Sequence, residues 1–323
     1  MRRTLLAAAL LACLAGCQQA ESPNATADGA TRAEAVDPQA DARFAELAQR
    51  ALETWLRLSP TFATSVGDHR YDGELDDLSA EGRQRALEAR KQLLAELDAI
   101  DVSRLSRENQ VDAAILRNRL EADIWNAEVL QSWAWDPLLY NSLAGGSIYD
   151  LMAREFAPLP DRLRSATARM EKLPALLAQA RANLDPARVP KVHAETVARQ
   201  NQGILAIVDS FIVPHADQLP DDERTRLEAA VARLRAAVAE HQAWLDQVLV
   251  PNAAGDFRLG AELYDQKLKF SLNSSLSRSE IRQRAEAELA RVRAEMYAIA
   301  RTVLEDRADA PPLPEDPDEA QRQ

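Results

Sequence analysis

The sequence has 323 residues, with 39 Lys and Arg against 51 Asp and Glu, four His, two Cys and a formal charge of −12. That charge opposes the phosphate field of nucleic acid, which excludes a nucleic-acid partner on electrostatic grounds. A chain of about 300 residues buries roughly three quarters of its unfolded surface in one large or two smaller domains, and so can stand on its core alone.

The chain opens MRRTLLAAALLACLAGC, with Arg2 and Arg3 as a positive n-region, an apolar run from Leu5 to Leu14 and small residues before Cys17. The apolar part is too short to span a bilayer and reads as a secretory signal over residues 1–16. Leu14-Ala15-Gly16-Cys17 resembles the lipobox of bacterial lipoproteins, which implies cleavage before Cys17 and acylation of that residue. Each buried methylene of an acyl chain adds roughly 0.8 kcal/mol, so several chains on one Cys hold a protein at a membrane surface. Gln18 rather than Asp follows the Cys. By resemblance to Gram-negative lipoproteins, this implies the cell envelope, at the outer membrane facing the periplasm. Loss of residues 1–16 removes two Arg and no acid and leaves −14. It also removes Cys13, so the mature domain has no thiol for a disulfide, a zinc thiolate or a nucleophile.

Residues 17–40 lack periodicity and read as a flexible tether. Residues 41–306 are rich in helix formers and read as an all-α domain of long antiparallel helices. Amphipathic runs cover about 41–58, 79–99, 106–131, 160–183 and 190–212, with breaks at Ser59-Pro60, Gly145-Gly146, Pro158 to Pro160, Asp185-Pro186, Pro214 and Pro251 to Gly255. Pro174 falls inside one run and is expected to kink or divide it. From Asp221 to Leu249 one stripe carries Leu227, Val231, Leu234, Val238, His241, Leu245 and Val248. Between Ser277 and Leu304 a second stripe carries Ile281, Ala285, Leu289, Val292, Met296, Ile299 and Val303, behind a capping box Ser277-Arg278-Ser279-Glu280. Residues 307–323 form a Pro-rich acidic linker in which Asp316, Pro317, Asp318 and Glu319 suit the start of a helix; the expectation is a truncated next element of a longer protein.

Several chemistries lack their residues. No H-E-x-x-H is present to put two imidazoles on one helical face, and the His193-Ala194-Glu195 pair would splay across different faces. Gly145-Gly146-Ser147-Ile148-Tyr149 lacks the second Gly of a serine-hydrolase elbow, and Ser147 reads as a helix N-cap. No phosphate-cradling glycine loop occurs. His241 on an apolar stripe reads as a hydrogen-bonded core histidine, and Trp125, Trp133, Trp135 and Tyr140 as packing aromatics at a turn. The chain therefore yields no catalytic residue and no metal ligand of its own.

The segment GDHRYDGELDDLS, residues 67–79, gathers His69 with Asp68, Asp72, Glu74, Asp76 and Asp77. It fails as a calcium loop, having Arg83 where the twelfth-position Glu belongs. It reads as a polar turn, with Gly67 and Gly73 permitting positive φ, Ser79 capping the next helix and the carboxylates left in water.

Ser59 to Thr64, the GDHRYD block and Asp77-Leu78-Ser79 resemble the N-terminal signature of the bacterial domain-of-unknown-function 885 family. So do Arg154-Glu155-Phe156-Ala157-Pro158 with Arg162-Leu163, the Pro174 segment ending Ala180 to Leu184, and Phe257 to Gly260 leading into Tyr264 to Leu268. The likeness runs from about residue 40 to 306. It implies the N-terminal portion of a larger helical, gluzincin-like fold, similar to zinc carboxypeptidases and dipeptidases. The family's zinc motif, a His-Glu followed by Pro-Gly-His, matches no position here, so zinc is expected only in the full-length protein. The resemblance leaves two readings. One is the helical half of a lipid-anchored, metallopeptidase-like envelope protein, walling a peptide cleft that Asp68, His69, Arg70 or Tyr71 reaches. The other is a non-catalytic helical lipoprotein that binds a protein partner.

Overall fold

A computed structural model describes residues 36–305, 307–310, 312, 316, 319 and 320; the signal, Cys17 and the tether up to residue 35 lie outside the described residues, as do Pro317 and Asp318. Helices begin where side-chain oxygens can accept orphan backbone N–H groups. Asp37 accepts from Gln39 N at 2.9 Å with Pro38 at the first helical position, so α1 (Pro38–Leu58) starts before the expected residue 41. After α2 (Pro60–Ser65), Ser79 accepts from Gly82 N at 3.0 Å to open α3 (Ala80–Asp98). Ser106 opens α4 (Arg107–Trp125), which runs into a π turn over Asn126–Leu130 closed by Gln131 at φ 52°. Then come α5 (Ser132–Trp135), α6 (Pro137–Met152) and α7 (Leu159–Asn183).

The second half of the chain begins with α8 (Lys191–Gln200), α9 (Gly203–Phe211) and α10 (Asp221–Trp244). A second π turn over Leu245–Leu249 leads into α11 (Val250–Asn252), and α12 (Gly260–Leu272) and α13 (Arg278–Glu305) follow. Among the described residues there is no strand; the one extended pairing is an isolated bridge between Pro190 and Gly255. A Cβ at Gly255 would lie 2.0 Å from the Arg188 carbonyl oxygen, so the bridge admits only glycine there. No described helix is long and apolar enough to cross a membrane. At the far end, Ala320 N donates to Asp316 O at 2.9 Å, at the residue read as a cap.

Two apolar cores result. One packs α1, α3 and α4 around Phe44, Leu47, Leu97 and Leu120. The larger packs α6 to α10 around Ile148, Leu163, Met170, Leu173, Leu176, Val208, Leu234 and Val238. The adjacent helices α3 and α4 run antiparallel, with Arg90 paired to Asp123 and Asp98 to Arg117. The central pair α7 and α10 runs parallel, because Arg164 meets Glu223, Glu171 meets Arg226 and Arg181 meets Glu240 at a near-constant offset, with α8 and α9 providing the return.

Four local expectations are corrected. The run 190–212 is two helices, divided where buried Asn201 donates to Val238 O and Gln242 Oε1. Pro174 does not divide α7, whose neighbouring Leu173, Leu176 and Leu177 are all buried in the larger core. Gly145, Gly146 and Ser147 lie inside α6; Ser147 is no cap, and its hydroxyl donates to Ala144 O at 2.8 Å. The π turn after α10 shifts the stripe by one residue, leaving Val248 39% exposed while Leu249 is fully buried.

His241 is buried against Trp244, and its Nδ1 has no hydrogen-bond partner among the described residues. Burial first, and then the positive Arg181 nearby, push its pKa down to about 4. Because the unfolded chain takes up the proton first, this stability is complete above about pH 6.5 and is lost as pH falls towards 4. The loss amounts to about 3 kcal/mol. Urea unfolding at pH 7 and pH 4.5 should show that loss in the native protein and a smaller one in His241→Leu; an unchanged acid sensitivity in the variant would assign the effect elsewhere.

Candidate functional site

The connection from α2 to α3 carries the residues singled out by sequence. Gly67 takes φ +92°, a conformation open to glycine, and turns the chain out of α2. Asp68 then caps a 3₁₀ turn over His69–Tyr71 by accepting from Arg70 N at 3.2 Å. The Arg70 guanidinium folds back on the same carboxylate, with Nε 2.9 Å from Oδ1 and Nη2 2.5 Å from Oδ2, and its Nη1 lies 2.8 Å from Glu53 on α1. The Tyr71 hydroxyl donates to the same Glu53.

This network fixes protonation states. Hydrogen bonds from Arg70 hold the Asp68 carboxyl at about 2. Those from Tyr71 and Arg70 lower Glu53, and the Glu53 carboxylate raises the Tyr71 hydroxyl. At neutral pH, Asp68 is a weak base and Tyr71 a weak acid. The cluster serves as a fixed polar surface better than as a proton-transfer device.

His69 points the other way. Its ring stacks on Phe156 with centroids 3.6 Å apart, and Nδ1 lies 3.0 Å from Oδ2 of buried Asp72. A neutral ring so placed carries its proton on Nδ1 and presents Nε2 as the acceptor. Asp72 Oδ1 accepts from Thr64 Oγ1 at 2.6 Å, and that hydroxyl accepts from Arg169 Nη2 at 2.6 Å. Arg169, on α7 and fully buried, also donates from Nε to Glu74 O, from Nη1 to Ser147 O and from Nη2 to Pro60 O. Asp76 accepts from Thr61 N and Oγ1, and its burial pushes its pKa up. Glu74 pairs with Lys172 at 2.7 Å and Asp77 with Arg85 at 2.6 Å.

The five carboxylates do not share one fate: Asp72 and Asp76 are turned inward to Thr64 and Thr61, against the expectation of solvation, whereas Asp68 pairs with Arg70 of the same turn and Glu74 and Asp77 stay largely exposed beside Lys172 and Arg85. Gly73 does not take positive φ, against the expectation, and a Cβ there would meet Ala168 Cβ at 3.6 Å, an ordinary contact, so neither conformation nor space demands glycine at this position. The structure also joins two blocks far apart in sequence. Phe156 meets His69 and Arg154 donates to Ser65 O, while Arg162 holds the intervening turn through the carbonyls of Met152, Arg154 and Ala157. Arg169, Thr64 and Glu53 escaped sequence reasoning. The available signal was an Arg on the apolar face of α7, in step with Ala166, Leu173 and Leu176.

The aromatic cluster packs as expected. Trp133 and Trp135 donate to the carbonyls of Ala127 and Leu130 in the π turn, Tyr140 donates to Trp133 O, and Trp125 reaches Gln266 on α12. Trp135 also borders an 830 Å³ cavity with His193, Phe257, Tyr264 and Lys267. Zinc has no seat among the described residues: no three His, Cys, Asp or Glu side chains converge there. His69 is engaged by Asp72 and Phe156, and His241 is buried beside Trp244.

A helical chain with this signature turn belongs to the family described as "Bacterial protein of unknown function (DUF885)", whose model matches residues 60–321. The match starts at Pro60 and extends past α13, later at both ends than the 40–306 read from sequence. Among solved structures, the chain is similar to one described as "a putative lipoprotein of unknown function from Shewanella oneidensis", at 31% identity and a TM-score of 0.74. The likeness covers 86% of this chain and 51% of that one, so the chain spans about half of its solved relative. A search of curated proteins finds no match.

Burial separates the two kinds of carboxylate. Asp72→Ala strips partners from Thr64 and His69 and leaves the Arg169 charge less compensated, which should cost about 3–5 kcal/mol in urea unfolding. Asp68→Asn, at the surface, should leave the unfolding midpoint essentially unchanged. Equal losses in the two variants would contradict this division.

Proposed function

We propose that this chain is the helical scaffold half of a lipid-anchored protein of the bacterial cell envelope, with metallopeptidase-like chemistry completed by residues it does not contain. The observation that carries this reading is the half-length match: the likeness to the solved relative covers 86% of this chain but 51% of that one, and the family model matches residues 60–321. The relative's description as a putative lipoprotein supports the lipobox reading of Cys17, whereas attachment to the outer membrane on the periplasmic side rests on Gln18 and the resemblance to Gram-negative lipoproteins alone. Similarity to gluzincins rests on the sequence blocks alone. No three His, Cys, Asp or Glu side chains converge among the described residues, so on this reading the zinc ligands and the chemistry they support would lie in the part of the family fold that this chain does not span.

The substrate-facing role falls to the α2–α3 connection. Of Asp68, His69, Arg70 and Tyr71, three spend their polar groups on each other and on Glu53. His69 is the one whose geometry leaves a ring nitrogen directed away from its carboxylate partner, with a third of the side chain exposed. An imidazole held by a buried carboxylate and an aromatic face is a pre-positioned hydrogen-bonding group, suited to the backbone or terminal group of a peptide. It would act as a positioning residue on one cleft wall.

Zinc content by mass spectrometry and hydrolysis of a peptide library, measured on this chain and on the product of the complete reading frame, test the division. The chain alone should hold substoichiometric zinc and cleave nothing, whereas the complete product should do both. Stoichiometric zinc with cleavage by the chain alone would overturn the scaffold reading. A frame that stops after Gln323, with cooperative unfolding and no hydrolysis, would favour the non-catalytic partner-binding alternative.

A further inference from the structure

The helix α13 carries a stripe that nothing in the described structure uses. Its start is well specified: Ser277 N donates to Glu280 Oε2 at 2.8 Å and Glu280 N to Ser277 Oγ at 3.3 Å, the reciprocal pair of a capping box. Its 28 residues make a rod roughly 42 Å long. At about 100° per residue, Ile281, Ala285, Leu289, Val292, Met296, Ile299 and Val303 fall within an arc of roughly 80°. Yet Leu289, Met296, Ile299 and Val303 are between 49% and 66% exposed, and no described side chain of α13 is buried. A contiguous apolar stripe of this length, unlike scattered surface apolar residues, marks a face that another surface covers. Helices of this kind also draw most of their stability from packing of the apolar face.

Charge pattern and chain length narrow the occupant. Beside the stripe run ion pairs of both signs, Arg282 with Glu286 and Arg291 with Glu288 and Glu295, and the helix has six Arg against five Glu. That near-balance lacks the Lys/Arg excess of a helix lying in an anionic membrane surface and matches the flanks of a helix–helix contact. The family match extends through α13 to residue 321, while the chain spans 51% of its solved relative. As much chain again therefore exists in that relative to supply a cover.

We propose that the stripe of α13 is the docking face for the half of the family fold that this chain does not span. The inference rests on the scaffold-half reading in that it requires such a half, and is independent of what chemistry the half performs. The face uses ridges spaced by three and four residues, the geometry for receiving another helix or helices.

The test places a photo-crosslinking amino acid at Met296, and as a control at Ala294 on the opposite side of α13, in the protein expressed from its own gene in its own cells. After irradiation, the adduct peptides are sequenced by mass spectrometry, and peptide hydrolysis is measured on the same preparation. Met296 should give adducts with DUF885-family sequence lying outside residues 1–323, Ala294 should give background yield, and Ile299→Glu should abolish the Met296 adduct. Adducts with peptides from a second copy of residues 36–323, adducts with an unrelated protein, or none above the Ala294 background would each overturn the proposal. A family adduct without hydrolysis upholds the docking face and counts against the metallopeptidase reading. Hydrolysis with Met296 joined to a second copy does the reverse.

Discussion

The structure depends on one buried cation. Arg169 sits on the apolar face of the central helix α7 with no exposed surface, and its guanidinium reaches Glu74 O, Ser147 O, Pro60 O and Thr64 Oγ1. A buried charge costs several kcal/mol in lost hydration, an amount recovered only when hydrogen bonds and counter-charges meet it in good geometry. Here the fork of an Arg satisfies carbonyls on α2, on α6 and in the 72–77 connection at once, a task a Lys point charge could not perform. Burial lowers the Arg169 pKa, and the opposing charges of Asp72 and Asp76 offset part of that lowering.

That arrangement explains the content of the segment 67–79. Its carboxylates divide by depth. Asp72 and Asp76 face inward to the Thr hydroxyls of α2 and the field of Arg169, whereas Asp68, Glu74 and Asp77 face outward to Arg70, Lys172 and Arg85. The inward set fixes α2 against α6 and α7, and thereby positions His69 on Phe156. The outward set forms a polar surface whose own energetic weight is small. A turn that looks like a metal site in sequence is, in three dimensions, a joint with one side chain left over for recognition.

Much of the fold was legible in the sequence because it follows from periodicity and capping chemistry. The Ser277–Glu280 box, the Ser79 cap and the stripe of α10 through His241 stand where side-chain spacing puts them. What was not legible depends on partners distant in the chain. Gly145-Gly146 ahead of Ser147 suggests a break and a cap, but both glycines lie inside α6; a Cβ on Gly145 would lie 3.4 Å from Ile207 Cδ1 on α9, while Gly146 faces open space. The paired carboxylates were read as solvated because Arg169 and Lys172 lie about a hundred residues away. The parallel course of α7 and α10 needs the return path through α8 and α9, which a single run over 190–212 concealed. The candidate site was visible as a motif, while its division into a buried and a surface set was not.

Membership of the DUF885 family and a half-length likeness to a solved relative give this joint its context: it anchors the first helices to the larger core while α13 offers a free face. If Arg169 is the tie between them, its loss should loosen the joint before the core. Hydrogen exchange on Arg169→Met reads this directly. Amides of residues 60–77 should lose nearly all protection while those of α10 keep most of theirs, with a fall in global stability of about 3–5 kcal/mol. Unchanged protection across 60–77, or a uniform loss that spreads equally to α10, would contradict the role assigned to this residue.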